Sequence, residues 1–254
     1  MANTLRNMKR NFLIFMASLF MNTAMHAQSL QKVVYKDGSQ QLNGWVTSNK
    51  GTAKPGVLIL PAWMGADDEA KQAASDLEKQ GYIAFIADIY GEGNVPQNSD
   101  QASKIATHYK TDFKAYQHRI ALALEQLKKA GAQTDRLAVI GYCFGGTGAL
   151  EAARAQLPVQ GVVSIHGGLA KGTRPDEKLN TRILVLHGAD DASVSETDIR
   201  NFTQEVNHSK ADWQMIYYAN SKHTFTNPVS ADYNKVMSQR AWQHTLLFLE
   251  EILK

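Results

Sequence analysis

An α/β domain, with a mostly parallel central sheet and helices on both faces, is the fold class this sequence predicts, on three observations. Short apolar runs recur between glycine and proline residues. Stretches with apolar residues three and four positions apart lie between them. No Pro/Gly/Ser-rich linker, charge run or internal repeat divides the chain after Gln31. Strands alternating with amphipathic helices form βαβ units, whose crossovers cover both faces of a parallel sheet. Residues 28–254 therefore read as one domain of ordinary size for this class.

Residues 31–47, with Val33-Val34-Tyr35 and Trp45-Val46, predict an antiparallel hairpin that begins the sheet. Val57-Leu58-Ile59-Leu60, set between Gly56 and Pro61, and the run from Tyr82 to Ala87 after Gly81 predict buried parallel strands. Phe113, Tyr116, Ile120, Leu124 and Leu127 share one face of a helix. Leu137 to Ile140, Gly161 to Ile165, Ile183 to Leu186 and residues 213–218 continue the strand pattern. Trp242, Leu246, Leu249 and Leu253 mark a last helix.

The composition, 44% hydrophobic and 20% charged, excludes a disordered or collagenous chain, and a single cysteine excludes a disulfide framework. The formal charge of +3 is confined to one end. Arg6, Lys9 and Arg10 precede the apolar run Phe12 to Met21, no acid occurs before Asp37, and the small residue Ala27 follows. That is the pattern of a secretory signal peptide over residues 1–27. Ala24 is an alternative cleavage site, because Met25 stands where a small residue is preferred. An uncleaved anchoring helix is the competing reading, but the run falls short of the roughly 20 residues that span a bilayer. Loss of the three leader cations from 27 leaves 24 basic against 24 acidic residues. A formally neutral domain gives no case for nucleic acid or another acidic partner. The expectation is an exported protein, periplasmic or secreted, with no stable membrane span after processing.

Gly141-Tyr142-Cys143-Phe144-Gly145-Gly146 follows the strand 137–140 and opens a helix running through Ala149, Leu150, Ala152 and Ala153. The arrangement fits a nucleophile elbow, a strained strand-to-helix turn that exposes its central side chain and needs flanking glycines. Cys143 is the candidate nucleophile, since a helix N-terminus favours the thiolate that attacks. A buried structural cysteine is the bland alternative. An acid and a base are expected after later strands, in that order. Strand 183–186 runs into His187-Gly188-Ala189-Asp190-Asp191, where Asp191 is the candidate acid and Asp190 an adjacent competitor better suited to shaping the turn. Strand 213–218 leads into Ser221-Lys222-His223, and His223 is the candidate base.

The remaining histidines read more plainly. His108, His118, His208 and His244 fall in polar helical stretches and are expected to be solvated, and His187 to pack or hydrogen-bond locally. His166 ends a strand at the edge that carries the candidate site and is assigned to the substrate pocket. No histidine pair has metal-ligand spacing, and no phosphate-loop or dinucleotide fingerprint occurs, so no metal and no cofactor are expected.

Over residues 31–254 the chain resembles the dienelactone hydrolase family of the α/β-hydrolase superfamily. The anchors are Pro61-Ala62-Trp63-Met64-Gly65, Ala87-Asp88-Ile89-Tyr90-Gly91, the elbow with its cysteine, His187-Gly188-Ala189-Asp190-Asp191 and His223-Thr224-Phe225-Thr226-Asn227-Pro228. The resemblance implies the α/β-hydrolase fold and a triad of Cys143, Asp191 and His223. It also implies an oxyanion hole from the backbone N–H groups of Trp63 and Phe144, whose side chains are then free to shape the pocket. Tyr90 and Asn227 join His166 as pocket candidates. Family members that cleave dienelactones carry a glutamate at the position of Ala62 and carboxylate-binding arginines at the positions of Glu92 and Asn227. Without those guanidinium groups an anionic substrate loses its clamp. The expected activity is hydrolysis of small-molecule carboxylic esters or lactones, without preference for carboxylate-bearing ones, through an acyl-enzyme. A non-catalytic ligand-binding scaffold, or a thioesterase or peptidase on the same three residues, is the alternative.

Overall fold

The computed structural model describes residues 30–176 and 178–254, so the expected signal peptide lies outside the described residues. Eight strands form one sheet: β1 (Gln31–Asp37), β2 (Gln40–Val46), β3 (Gly56–Leu60), β4 (Ile83–Ile86), β5 (Leu137–Tyr142), β6 (Gly161–Ile165), β7 (Arg182–Gly188) and β8 (Trp213–Tyr218). Their order is β1-β2-β4-β3-β5-β6-β7-β8. The first two strands form the expected antiparallel hairpin, turning at Gly38 with φ 56°, and β2 pairs antiparallel with β4. Every pairing from β4 through β3 to β8 is parallel.

Among the described residues six helices flank the sheet: α1 (Asp68–Lys79), α2 (Ser99–Thr111), α3 (Phe113–Lys129), α4 (Phe144–Arg154), α5 (Glu196–His208) and α6 (Lys235–Leu253). Because successive side chains of a strand point to opposite faces, each central strand feeds two cores. Leu58, Leu60, Phe85 and Val139 pack beneath α2 to α5, whereas Val57, Ile59, Ala84 and Ile140 pack beneath α1 and α6. This double burial is why the central strands read as continuous apolar runs. The reading of β5 stopped at Ile140, and the strand continues through Gly141 and Tyr142 into the elbow.

The helix behind the elbow is buried along its whole length. That burial encloses Arg154, whose guanidinium meets Glu205 at 2.8 and 2.7 Å and Glu151 at 3.0 Å, while Arg174 reaches Glu151 from the loop after β6. Charge pairing of this kind compensates the desolvation of ions that could not otherwise sit in a core. Among the described residues no helix is long and apolar enough to cross a membrane.

Candidate active site

The elbow places Cys143 at the C-terminal edge of β5, the edge where ligands of open α/β sheets bind. Its backbone has φ 51° and ψ −111°, a conformation that persists only where the surroundings enforce it. The enforcement is visible in the flanking glycines. A Cβ at Gly141 would overlap the carbonyl of Gly145, and one at Gly145 would overlap the carbonyl of Leu60. Cys143 N–H donates to Ile165 O at 3.0 Å, and its carbonyl accepts Thr147 N–H at 3.1 Å.

The turn after β7 presents Asp191, and the loop after β8 presents His223. Cys143 Sγ lies 3.0 Å from His223 Nε2, and His223 Nδ1 lies 2.8 Å from Asp191 Oδ2. Asp191 Oδ1 accepts the Ser193 N–H at 2.8 Å, which fixes the carboxylate plane. Its neighbour Asp190 is exposed, and its N–H ties the turn to Ser221 O. The three sequence-predicted residues are thus brought into one hydrogen-bonded series. Burial alone would lower His223, but the hydrogen bonds to Asp191 and Cys143 outweigh it and raise the imidazole to about 10. Burial likewise opposes ionisation of Asp191, yet the His223 contact leaves its carboxyl below the usual range. At 3.0 Å, His223 Nε2 is within proton-transfer distance of Cys143 Sγ.

Trp63 follows β3 and Phe144 is the first residue of α4, whose N–H has no acceptor within the helix. Tyrosine hydroxyls secure both backbones: Tyr90 donates to Trp63 O and Tyr116 to Phe144 O, each at 2.9 Å. The Tyr116 and Tyr90 rings both stack on Phe144, with centroids 4.6 and 5.5 Å away. Trp63 is 37% exposed, with Met64 and Val95 also exposed nearby, whereas Phe144 is 2% exposed. Of the two side chains Trp63 is the exposed one, whereas the aromatic stack takes the Phe144 ring into the core, where it cannot shape a pocket.

Two of the three pocket candidates also differ from expectation. Tyr90 is 3% exposed and spends its hydroxyl on Trp63. His166 is 1% exposed, edge-on to His223, and bonded to protein at both ring nitrogens. Burial and the neighbouring His223 push it down to about 3, so it is neutral. Asn227 lines a cavity of about 450 Å³ whose walls do not include Cys143 or His223. His244 is not freely solvated as expected: its Nδ1 lies 2.7 Å from the Tyr218 hydroxyl. Glu92 is exposed, and Ala62 packs against the core beneath α1. Among the described residues no group of three His, Cys, Asp or Glu side chains could hold a metal ion.

The sequence pattern of the dienelactone hydrolase family matches residues 42–253. The chain belongs to the dienelactone hydrolase family. It is 28% identical over 207 residues, 77% of its length and 83% of the other, to a probable 2-oxo-3-(5-oxofuran-2-ylidene)propanoate lactonase of Bradyrhizobium sp. The crystal structure of the dienelactone hydrolase-like promiscuous phosphotriesterase P91, from metagenomic libraries, superposes with a TM-score of 0.83 at 30% identity, covering 90% of this chain and all of that one. MGS-M1, an α/β-hydrolase from a deep-sea metagenome of the Medee basin, shares the fold alone, with a TM-score of 0.60 at 16% identity over 89% and 99% of the two chains. As a dienelactone hydrolase relative with the α/β-hydrolase fold, the chain is a hydrolase of lactones or esters.

The site also contains what the sequence reading missed. Tyr116 appeared there only as a helix-face residue, and Thr226, which bonds His166, and Glu69, which bonds Thr226, carried no short-range signal.

Proposed function

We propose that the mature protein hydrolyses neutral carboxylic esters or lactones through a covalent acyl-enzyme, with Cys143 as nucleophile, His223 as acid and base, and Asp191 as its orienter. The supporting observation is the Sγ to Nε2 to carboxylate series at 3.0 and 2.8 Å. The thiolate attacks the carbonyl carbon, and the Trp63 and Phe144 N–H groups receive the developing oxyanion. Collapse breaks the carbon–oxygen bond to the leaving group, which takes the proton from His223 Nε2. His223 then removes a proton from water as the hydroxide adds to the thioester, and loss of the acid restores the thiolate and imidazolium. Ester and water are consumed, and acid and alcohol leave.

Neutral substrates fit the exposed apolar residues Trp63, Met64 and Val95 and the absence of arginine at positions 92 and 227. The basic, then apolar, leader supports export, with residues 1–27 removed. N-terminal sequencing of the protein recovered outside the cytoplasm checks this, and an intact leader there refutes it.

Initial rates on p-nitrophenyl butyrate, a neutral lactone, dienelactone and the phosphotriester paraoxon test the activity, with and without iodoacetamide. Turnover of the butyrate ester should be abolished by alkylation and by Cys143→Ala. Undiminished turnover in either case refutes the mechanism, and dienelactone cleaved much faster than the neutral substrates refutes the substrate class.

A further inference from the structure

A second hydrogen-bonded series reaches the elbow from α1. Glu69 Oε1 accepts from Thr226 Oγ1 at 2.6 Å, Thr226 Oγ1 lies 2.7 Å from His166 Nε2, and His166 Nδ1 accepts the Cys143 backbone N–H at 3.2 Å. One arrangement of protons satisfies all three contacts. A backbone N–H can only donate, so Nδ1 is bare and the ring proton sits on Nε2. Nε2–H then donates to Thr226, whose hydroxyl hydrogen passes to the Glu69 carboxylate. Were Glu69 to donate to Oγ1 instead, Thr226 would donate to Nε2. The ring proton would move to Nδ1, and two N–H groups would face each other.

The series ends on strained backbone. Cys143 and His166 have φ of 51° and 40°, positive values that side-chain-bearing residues adopt at a cost. His166 N–H is held by Leu186 O at 2.8 Å, and its ring stands 5.4 Å, centroid to centroid, from that of His223. A tilt of this one ring therefore reaches both the nucleophile and its base.

We propose that Glu69 is a positioning residue for the nucleophile: through Thr226 it keeps the His166 proton on Nε2, so that Nδ1 stays bare as a second acceptor, beside Ile165 O, for the Cys143 backbone N–H, and so holds Cys143 and His223 in register. This rests on Cys143 being the nucleophile. Protonation of Glu69 turns an acceptor-only carboxylate into a group that can donate to Thr226 Oγ1, so the ring proton is no longer confined to Nε2 and turnover acquires an acid limb that originates in α1. Burial pushes the Glu69 carboxyl up to about 7, against its Thr226 hydrogen bond and with the help of Asp67. The titratable groups sharing its cavity are Asp67, Asp68 and Asp76 on its own side and Tyr142 from β5; α6 contributes only uncharged residues there.

The test is kcat and KM for p-nitrophenyl butyrate from pH 5 to 9 in the wild type, Thr226→Val, Thr226→Ser and Glu69→Leu, with nitrogen-15 spectra of the histidine rings. Thr226→Val and Glu69→Leu should lower kcat at pH 8 about tenfold with KM changed less than twofold, and both should lose the acid limb near pH 7. Thr226→Ser should restore at least half of kcat together with the limb. Wild-type His166 should carry its proton on Nε2 at pH 8. Wild-type kcat and limb in Thr226→Val, failure of Thr226→Ser to rescue, or an Nδ1 proton on His166 each overturns the proposal. If instead wild-type turnover resists iodoacetamide, the nucleophile assignment has failed, while the ring spectra still decide the proton direction.

Discussion

Replacing Asp191 by Asn tests how much of the activation proposed for Cys143 comes from the carboxylate. The substitution is nearly isosteric, and the amide oxygen can keep the Ser193 N–H, so the turn after β7 should survive. The amide nitrogen, however, faces His223 Nδ1 as a donor, which drives the ring proton to Nε2 and points it at sulfur. His223 stands at about 10 against an ordinary 6.5, an advantage of about 5 kcal/mol for the imidazolium that Asp191 and Cys143 supply together over the cost of burial. The Asp191 side chain is fully buried, and a charge-assisted bond of this kind is worth about 1.5–3 kcal/mol. Its loss should slow both acyl transfer and alkylation by roughly 10- to 150-fold. Two assays read this independently: the pre-steady-state burst with p-nitrophenyl butyrate, and the rate of iodoacetamide reaction at pH 6. Both should fall together while the thermal midpoint moves by only a few degrees. Rates within threefold of wild type in a folded Asp191→Asn protein would refute the ion-pair account.

Tyr90→Phe removes the hydroxyl that secures Trp63 O, and a part-buried hydrogen bond of about 1 kcal/mol net corresponds to a roughly fivefold lower kcat with KM little changed, read by steady-state kinetics. Arg154→Leu leaves Glu205 without its buried partner and Glu151 with Arg174 as its remaining cation, and should destabilise the fold by about 3–5 kcal/mol in urea titrations; a loss under 1 kcal/mol would contradict that role. Glu69→Gln removes a carboxyl whose folded value, about 7, exceeds its unfolded 4.5. Between those values the unfolded chain ionises while the folded one keeps its proton, so wild-type stability falls as pH rises and the full penalty, at most about 3 kcal/mol, applies above 7. Thermal melts should show the variant several degrees more stable than wild type at pH 8 and equal to it at pH 4.

How much was legible in the chain follows from how far each signal reaches. Strands such as Val57 to Leu60 announce themselves because both faces are buried and every residue must be apolar. Helix α2 was barely visible, since it buries only Ala102, Ala106 and Tyr109 and shows a narrow apolar stripe. The elbow was legible because its demands are local: glycines on either side of a residue in a conformation with no room for their Cβ atoms. His166 was misread because ending a strand at the correct edge does not say whether a ring faces substrate or core. Its hydrogen-bond partners on either side, Cys143 and Thr226, decide that, and Thr226 lies 60 residues away.

By itself the sequence determined the order of the strands, the cysteine elbow, and the candidate acid turn and candidate base that follow it, all set by residues close together along the chain. Only the tertiary structure showed that Asp191 rather than Asp190 meets His223, turned Tyr90 and Tyr116 into clamps on the backbone, and joined Glu69 to Cys143 through His166 and Thr226, the latter 157 positions from Glu69. The physical reason is that hydrogen bonds act over about 3 Å of space and are indifferent to separation along the chain. Folding the sheet is what brings the loops after β5, β6, β7 and β8 close enough for Cys143, His166, Asp191 and His223 to hydrogen-bond.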